Sequence, residues 1–166
     1  MARSLTTVQL SILTAVLDGE AAAVRQVVSS LPVRDGSPFA SVAGTHNGRF
    51  VVVSPRPLSP AVFLMCSATI DVPVRGWVER FLAVLGPRAD EIWSHCPGWP
   101  GPAGPMVDYL CSHRVHPALE FATWDVPAAA IVEALATRRR IQEFAVRAQG
   151  LDASSVLAAY RTEFAG

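Results

Sequence analysis

The chain has 166 residues, no net charge and 51% apolar side chains, and its charged residues make up 17% of the total. A chain of this length favours one domain and buries enough surface to fold without disulfide bonds. The balanced charge gives no basic stripe for a phosphate backbone, and the apolar runs are too short to cross a bilayer. Nucleic acid and membrane are therefore not expected partners.

The cysteines, Cys66, Cys96 and Cys111, are odd in number and have no CxxC spacing. This pattern is typical of reduced thiols and predicts a cytoplasmic protein rather than a disulfide framework. The N-terminal semi-apolar run is interrupted by polar residues and no small-residue cleavage site follows it, so we do not expect a secretory signal.

In chain order, the first elements predicted are a strand, a helix and two further strands. Apolar residues alternate within residues 5–17, which favours a strand, and helical spacing over residues 20–31 predicts a helix. The Val- and Phe-rich residues 49–54 and the apolar residues 62–70 predict two strands. The short proline-rich link between them indicates an antiparallel pair.

The remaining elements are mainly helical. They comprise a helix at 74–85, a strand at 90–96, a short helix at 106–115, a strand at 118–124, and helices at 127–149 and 151–164. Asp71, Asp125 and Asp152 stand where the N-caps of three of these helices are expected, because a short side-chain oxygen accepts from free helix amides.

The first six elements have the order β-α-β-β-α-β, which is that of the split βαβ motif. Together with three motifs, this order makes the chain resemble bacterial proteins of the ferredoxin-like, dimeric α+β barrel type. The motifs are Pro38-Phe39-Ala40, Thr45-His46-x-x-Arg49-Phe50-Val51-Val52 and Trp93-Ser94-His95-Cys96-Pro97-Gly98. The resemblance covers about residues 5–125. It implies a single ferredoxin-like α+β domain, mostly antiparallel with helices on one face, followed by a C-terminal helical extension at 127–166. Domains of this shape include cofactor-free monooxygenases, small-molecule isomerases and haem-handling enzymes.

His46 and Arg49 stand at the mouth of the second predicted strand, beside the chain breaks at Gly44 and Asn47-Gly48. An imidazole can move a proton near neutral pH, and a guanidinium can hold a carboxylate or enolate through two hydrogen bonds. The pair predicts a site that anchors and activates an acidic small molecule. In the alternative, His46 completes a turn and Arg49 pairs with a surface acid, and Asn47-Gly48 also fits a hairpin turn joining residues 39–45 to the next strand.

Trp93 and His95 share one face of the strand predicted at residues 90–96. We expect that face to be the open face of the sheet, with Trp99 and Trp124 adding aromatic walls to a substrate pocket and His95 joining His46 and Arg49 as a third catalytic residue. A dimer interface would explain the same aromatic residues, and it predicts a homodimer.

The leading hypothesis is an enzyme that acts on a small hydrophobic or aromatic molecule by acid/base chemistry, such as cyclisation, isomerisation or cofactor-free oxygenation in secondary metabolism. A non-catalytic binding or assembly module is the alternative. Haem binding is a third hypothesis, with His46, His95 or His116 as axial ligand. The spacing of His113 and His116 is not diagnostic of a metal, so we expect no metal site.

Overall fold

The computed structural model describes residues 6–55, 59–119 and 125–164, and the chain divides into two compact units, residues 1–128 and 129–166. The predicted α+β class is confirmed. The elements are β1 (Thr7–Ala15), α1 (Ala21–Ser29), a 3₁₀ turn (Arg34–Gly36), β2 (Thr45–Val53), β3 (Phe63–Asp71), α2 (Val74–Leu85), α3 (Pro87–Trp93), α4 (Met106–Ser112), α5 (Ala128–Arg147) and α6 (Ala153–Phe164). No helix in the described ranges is long and apolar enough to span a bilayer.

The three strands form an antiparallel sheet in the order β1-β3-β2. The predicted first strand and the predicted antiparallel pairing of the second and third strands are both confirmed. On the outer side of β1, Ile12 forms an isolated antiparallel bridge with Arg114. Two backbone bonds flank this bridge, from Leu13 N to His113 O at 3.0 Å and from Val115 N to Ser11 O at 2.8 Å.

One face of the sheet carries the core. Alternate residues of the strands, such as Leu10, Ile12, Leu64 and Cys66, are almost fully buried there. Helices α1, α2 and α3 contribute further buried side chains, including Val24, Trp77, Val78, Phe81, Ile92 and Trp93. Burying one large apolar side chain stabilises a fold by about 1.5–3 kcal/mol, so this face supplies most of the hydrophobic stabilisation.

The opposite face is divided along the strands into a polar and an apolar half. In the polar half, Thr69 Oγ1 donates to Gln9 Oε1 at 2.8 Å and accepts from Asn47 Nδ2 at 3.1 Å. In the apolar half, the register brings together partly buried side chains from all three strands, namely Leu13, Met65, Val51, Phe63 and Val53.

The strand predicted at residues 90–96 is wrong, because helix α3 occupies Pro87–Trp93. Pro87 lies in the first turn, where a proline has no amide bond to lose. Ala89, Ile92 and Trp93 are buried at helical spacing. The same stretch also fits an alternating pattern, because Ile92, Ser94 and Cys96 are two residues apart, and this pattern led to the wrong prediction of a strand. Without this strand, the described residues do not form the complete four-stranded ferredoxin-like sheet.

Of the two options left open for Asn47-Gly48, the hairpin turn is excluded, since both residues lie inside β2. Gly48 is required there by packing, because a Cβ at this position would lie 2.1 Å from Cδ1 of Phe39. The predicted fifth strand falls mainly on residues 120–124, which lie outside the described residues.

Two of the predicted helix caps bind other backbone amides than those expected. Asp71 ends β3 and does not cap α2; its carboxylate instead accepts from the backbone N of Ala128, the first residue of α5, at 3.2 Å. Asp125, the expected cap of α5, accepts from the backbone N atoms of Thr6 and Thr7 at 2.7 and 3.0 Å. Asp152 caps α6 as predicted, through the backbone N atoms of Ser154 and Ser155 at 2.9 and 3.0 Å.

The second unit contains α6 and all of α5 after Ala128. Its aromatic cluster consists of Phe144, Tyr160 and Phe164, with ring centroids 5.1–6.0 Å apart. The Arg140 guanidinium lies 5.1 Å from the centre of the Phe164 ring. These contacts hold the two helices together as a hairpin, and none of the described residues in either helix is fully buried.

Candidate functional site

His46 lies inside β2 at a break in the register, where Thr45 pairs with Ile70 and Asn47 pairs with Thr69. It is therefore the extra residue of a β-bulge, and a bulge turns its side chain out of the normal alternation. Its Nε2 lies 2.8 Å from Oδ1 of Asp71, and only 13% of the His46 side chain is exposed. Because the carboxylate accepts, Nε2 holds the proton in the neutral ring and Nδ1 keeps its lone pair.

The backbone around this pair is fixed from several sides. Thr45 Oγ1 donates to Val42 O at 2.7 Å and accepts from Trp77 Nε1 at 2.8 Å, which ties the start of β2 to α2. Gly44 has a φ of +82°, and a Cβ there would lie 3.1 Å from Asp71. Glycine therefore allows the chain to pass close to the carboxylate.

A cavity of about 450 Å³ adjoins His46. Besides His46, the polar residues that line it are Arg34, Ser37, Thr45 and Asn47. Arg34 has a φ of 57°, a left-handed conformation that costs a non-glycine residue roughly 1–2 kcal/mol. Strain of this kind concentrates at functional sites, and here it falls on a cation that lines the cavity.

A second cavity of about 300 Å³ lies further along β2. It shares Ser37, Phe39 and Gly48 with the first, so the two cavities are neighbours along β2, and we refer to the pair as the β2 groove. Its lining here is mainly apolar and includes Val28, Leu31, Pro32, Val33, Pro38 and Phe50, together with Arg49. The groove thus combines an apolar end with a polar end that contains His46.

Arg49 and His46 both line the β2 groove. Arg49 donates from Nε to Ser67 Oγ at 3.2 Å. Among the residues that the structure describes, none places a carboxylate within ion-pair distance of Arg49 or Arg34. These two guanidinium groups can therefore receive an anionic group of a ligand.

His95 does not join them, and the prediction of a three-residue site is wrong. The carbonyl of His95 accepts from Leu17 N at 2.9 Å, just beyond the end of β1, whereas Asp71 pairs with Thr7 at its start. The nine residues of β1 span about 27 Å, so His46 and His95 lie at opposite ends of the sheet. His95 Nδ1 instead lies 2.9 Å from Glu20 Oε2.

The predicted tryptophan wall is not formed on the open face. Trp93 is 1% exposed and belongs to the core, where its ring contacts those of Phe50 and Trp99 with centroids 5.9 and 5.7 Å away. Trp99 is half-buried and donates from Nε1 to Asp90 Oδ1 at 2.8 Å. Trp124 lies outside the described residues.

Sequence reasoning missed Asp71 as a partner of His46, and it missed Arg34. Asp71 was assigned to a helix cap, and only the β2–β3 register brings it to the bulge. Arg34 carries no sequence signal, because its importance comes from an unusual backbone angle beside Asp35-Gly36.

Other candidate groups are occupied or unreactive. His113 Nδ1 donates to Tyr109 O at 2.8 Å. Burial raises the pKa of the Cys66 thiol and, despite a hydrogen bond from Thr14, that of Cys96. The described ranges contain no group of three or more His, Cys, Asp or Glu residues arranged to hold a metal ion.

Comparison of the chain with protein-family models, with curated proteins and with solved structures finds no match. A function for this protein must therefore be argued from the geometry of the β2 groove.

Proposed function

We propose that the protein is an enzyme that performs acid/base chemistry on a small organic acid with a hydrophobic or aromatic body. The observation that carries the proposal is the 2.8 Å contact of His46 Nε2 with Asp71 Oδ1 in the wall of a cavity of about 450 Å³. A histidine oriented by a carboxylate in a cavity is a common arrangement for a general base.

In this proposal, Nδ1 of His46 takes a proton from the substrate, and Asp71 orients the ring and stabilises the imidazolium that forms. Arg34 and Arg49 bind the acid group of the substrate, because guanidinium forks match carboxylate geometry. The apolar end of the groove, with Val28, Leu31 and Phe50, accepts the hydrocarbon or aromatic part.

The reaction class follows from the proton that is removed. Loss of a proton from a carbon next to a carbonyl gives an enolate, which a guanidinium can stabilise. Reprotonation at another carbon is an isomerisation, attack on an internal electrophile is a cyclisation, and electron transfer from the enolate to O₂ begins a cofactor-free oxygenation.

The test is metabolite profiling of a bacterial small-molecule extract incubated with the protein. We expect the wild-type protein to deplete an acidic aromatic or hydrophobic compound and to form a product of equal or slightly higher mass. His46→Ala should abolish this change, and Asp71→Asn should reduce it strongly, by up to about 10⁴-fold, as replacing an orienting carboxylate by its amide does. His95→Ala is the matched control and should behave as wild type. A conversion that His46→Ala retains would overturn the assignment.

The same experiment addresses the other two hypotheses. A compound that is retained by the protein but never converted would indicate the non-catalytic binding module. Haem binding predicts a Soret band in protein purified from haem-supplemented culture, and that band should disappear in His46→Ala, His95→Ala or His116→Ala.

We further propose that the sheet is a ferredoxin-like sheet in which residues 113–115, bridged to β1 through Arg114, hold the place of the fourth strand. The support is the order β1-β3-β2 with an antiparallel segment outside β1.

A homodimer that covers the apolar half of the open face would explain why Leu13, Met65 and Val51 stand together there. Light scattering should give a dimer for the wild type and a monomer for Met65→Glu. The free thiols favour a cytoplasmic location.

A further inference from the structure

Strand β2 is an edge of the three-stranded sheet. Among the described residues, the backbone of residues 46–53 makes no backbone hydrogen bond outside the sheet ladder, whereas Thr45 N still bonds to Val42 O. In an antiparallel strand, alternate residues turn their N–H and C=O groups away from the neighbouring strand. With respect to the described part of the chain, the outer edge of β2 therefore presents a row of backbone donors and acceptors without backbone partners, beside the β2 groove.

The charge of the groove is one-sided. Arg34, Arg49 and His46 line it, and no Asp or Glu is among its described lining residues. Native proteins often protect an edge strand with charges or a covering segment, because a free edge can pair with another chain. Here, within the described ranges, the guanidinium groups of Arg34 and Arg49 do not pair with the backbone of β2, and they favour a partner with negative charge.

We propose that the acid group bound at this site is carried by a peptide: an extended segment with carboxylate side chains adds to β2 as a new edge strand. Main-chain hydrogen bonds to residues 46–53 would supply affinity, and the alternate side chains would reach Arg34 and Arg49. This inference rests on the proposed function, because it places a group of the bound segment beside His46.

A second copy of this chain is a poor occupant of the same edge. Pairing β2 with β2 of a partner would bring Arg34 and Arg49 of each copy into one shared groove, and no Asp or Glu is among its described lining residues. Like charges at that distance destabilise an interface, whereas an acidic segment neutralises them.

The experiment measures binding of fluorescein-labelled octapeptides by anisotropy. The probes are an alternating Val-Glu peptide, an alternating Val-Lys peptide, and free N-acetylglutamate as competitor. We expect the Val-Glu peptide to bind, the Val-Lys peptide not to bind, and N-acetylglutamate to compete only weakly, since it offers little backbone. Arg49→Glu and Arg34→Glu should each weaken binding about tenfold or more. Arg161→Glu, on α6, carries the same charge change and should bind as wild type.

Hydrogen exchange gives a second measurement that does not depend on those variants. Adding the Val-Glu peptide should slow amide exchange in residues 46–53 and leave the central strand β3 unchanged. Equal binding by Arg49→Glu and Arg34→Glu, equal binding of both peptides, or no added protection in β2 would overturn the inference. His46→Ala distinguishes the two proposals. If this variant still binds the peptide and converts the metabolite as the wild type does, the proposed function fails and the strand addition stands. If His46→Ala loses the conversion but the Val-Glu peptide does not protect the amides of β2, only the strand addition fails.

Discussion

Asp71 contacts His46 Nε2 through Oδ1 at 2.8 Å, and both of its carboxylate oxygens lie 3.2 Å from the backbone N of Ala128. One side chain thus orients the candidate base and receives the first amide of α5. A change at Asp71 should therefore affect both catalysis and stability, while a change at His46 should affect mainly catalysis.

Substitutions at these two positions should differ in stability. Asp71→Ala leaves the Ala128 amide without its acceptor, and losing a helix cap costs about 1 kcal/mol, with a further contribution from the unpaired His46. His46→Ala keeps the cap and should lower the free energy of unfolding by less than about 1 kcal/mol. Urea titration followed by circular dichroism measures both. Equal losses in the two variants would show that the cap contributes nothing.

Gly48 and Gly76 provide a matched pair of glycines. Gly48→Ala places a Cβ against the Phe39 ring and should lower the free energy of unfolding by about 1–3 kcal/mol, a typical cost of overpacking. Gly76 lies in α2, and a Cβ at this position would come no closer than 3.5 Å to a neighbouring atom. Gly76→Ala should therefore stabilise the protein by about 0.5–1 kcal/mol. Calorimetry checks the signs, and a neutral Gly48→Ala would mean that Phe39 can move aside.

Two buried tryptophans differ in their hydrogen bonding. Trp77 Nε1 donates to Thr45 Oγ1 at 2.8 Å, whereas Trp93 Nε1 is buried without a partner among the described residues. Both Trp→Phe substitutions remove the same volume, but only Trp77→Phe breaks a hydrogen bond. It should be the more destabilising by about 1 kcal/mol in chemical denaturation, and a reversed order would indicate that Trp93 has a partner such as an ordered water.

Asp125 should make stability depend on pH in the acid range. The side-chain hydrogen bond from Thr6 lowers the pKa of this carboxyl most; desolvation opposes it, and the backbone bonds from Thr6 and Thr7 and the side-chain bond from Thr7 lower the pKa further. A lowered folded-state pKa stabilises the protein above the unfolded value of about 3.9, and this contribution is lost as the pH falls through the folded value. Asp125→Asn should therefore unfold with less acid dependence than the wild type. Asp18→Asn is the charge-matched control, and an identical pH profile for both variants would contradict the prediction.

The sequence predicted most regular elements because their apolar residues followed one period more closely than the other. Alternation in β1 and β3 and helical spacing in α2 each match the buried face that the structure has. Helix α3 was mistaken for a strand because its seven residues are too few to separate a period of two from a period of 3.6.

The candidate site was only partly predictable. His46 and Arg49 were singled out by residue type and by their position beside a strand; His46 lines one cavity of the β2 groove and Arg49 lines the other. The partner of His46 depends on a one-residue bulge in β2 and on the register with β3, and neither is encoded in local composition. His95 was predicted to lie near His46 because residues 90–96 were predicted to be a strand of the sheet. Since these residues are mainly helical, the predicted position of His95 was wrong as well.

The backbone bonds of Asp71 and Asp125 define where the first unit can be cut without losing them. A fragment that ends at residue 119 would leave Thr6 and Thr7 without the acceptor at Asp125 and would leave Asp71 without the amide of Ala128. A fragment that ends at Ala128 keeps both sets of bonds, although it contains only the first residue of α5. The two carboxylates thus place the end of a fragment that keeps these bonds at Ala128, in the first turn of a helix whose remainder lies in the second unit.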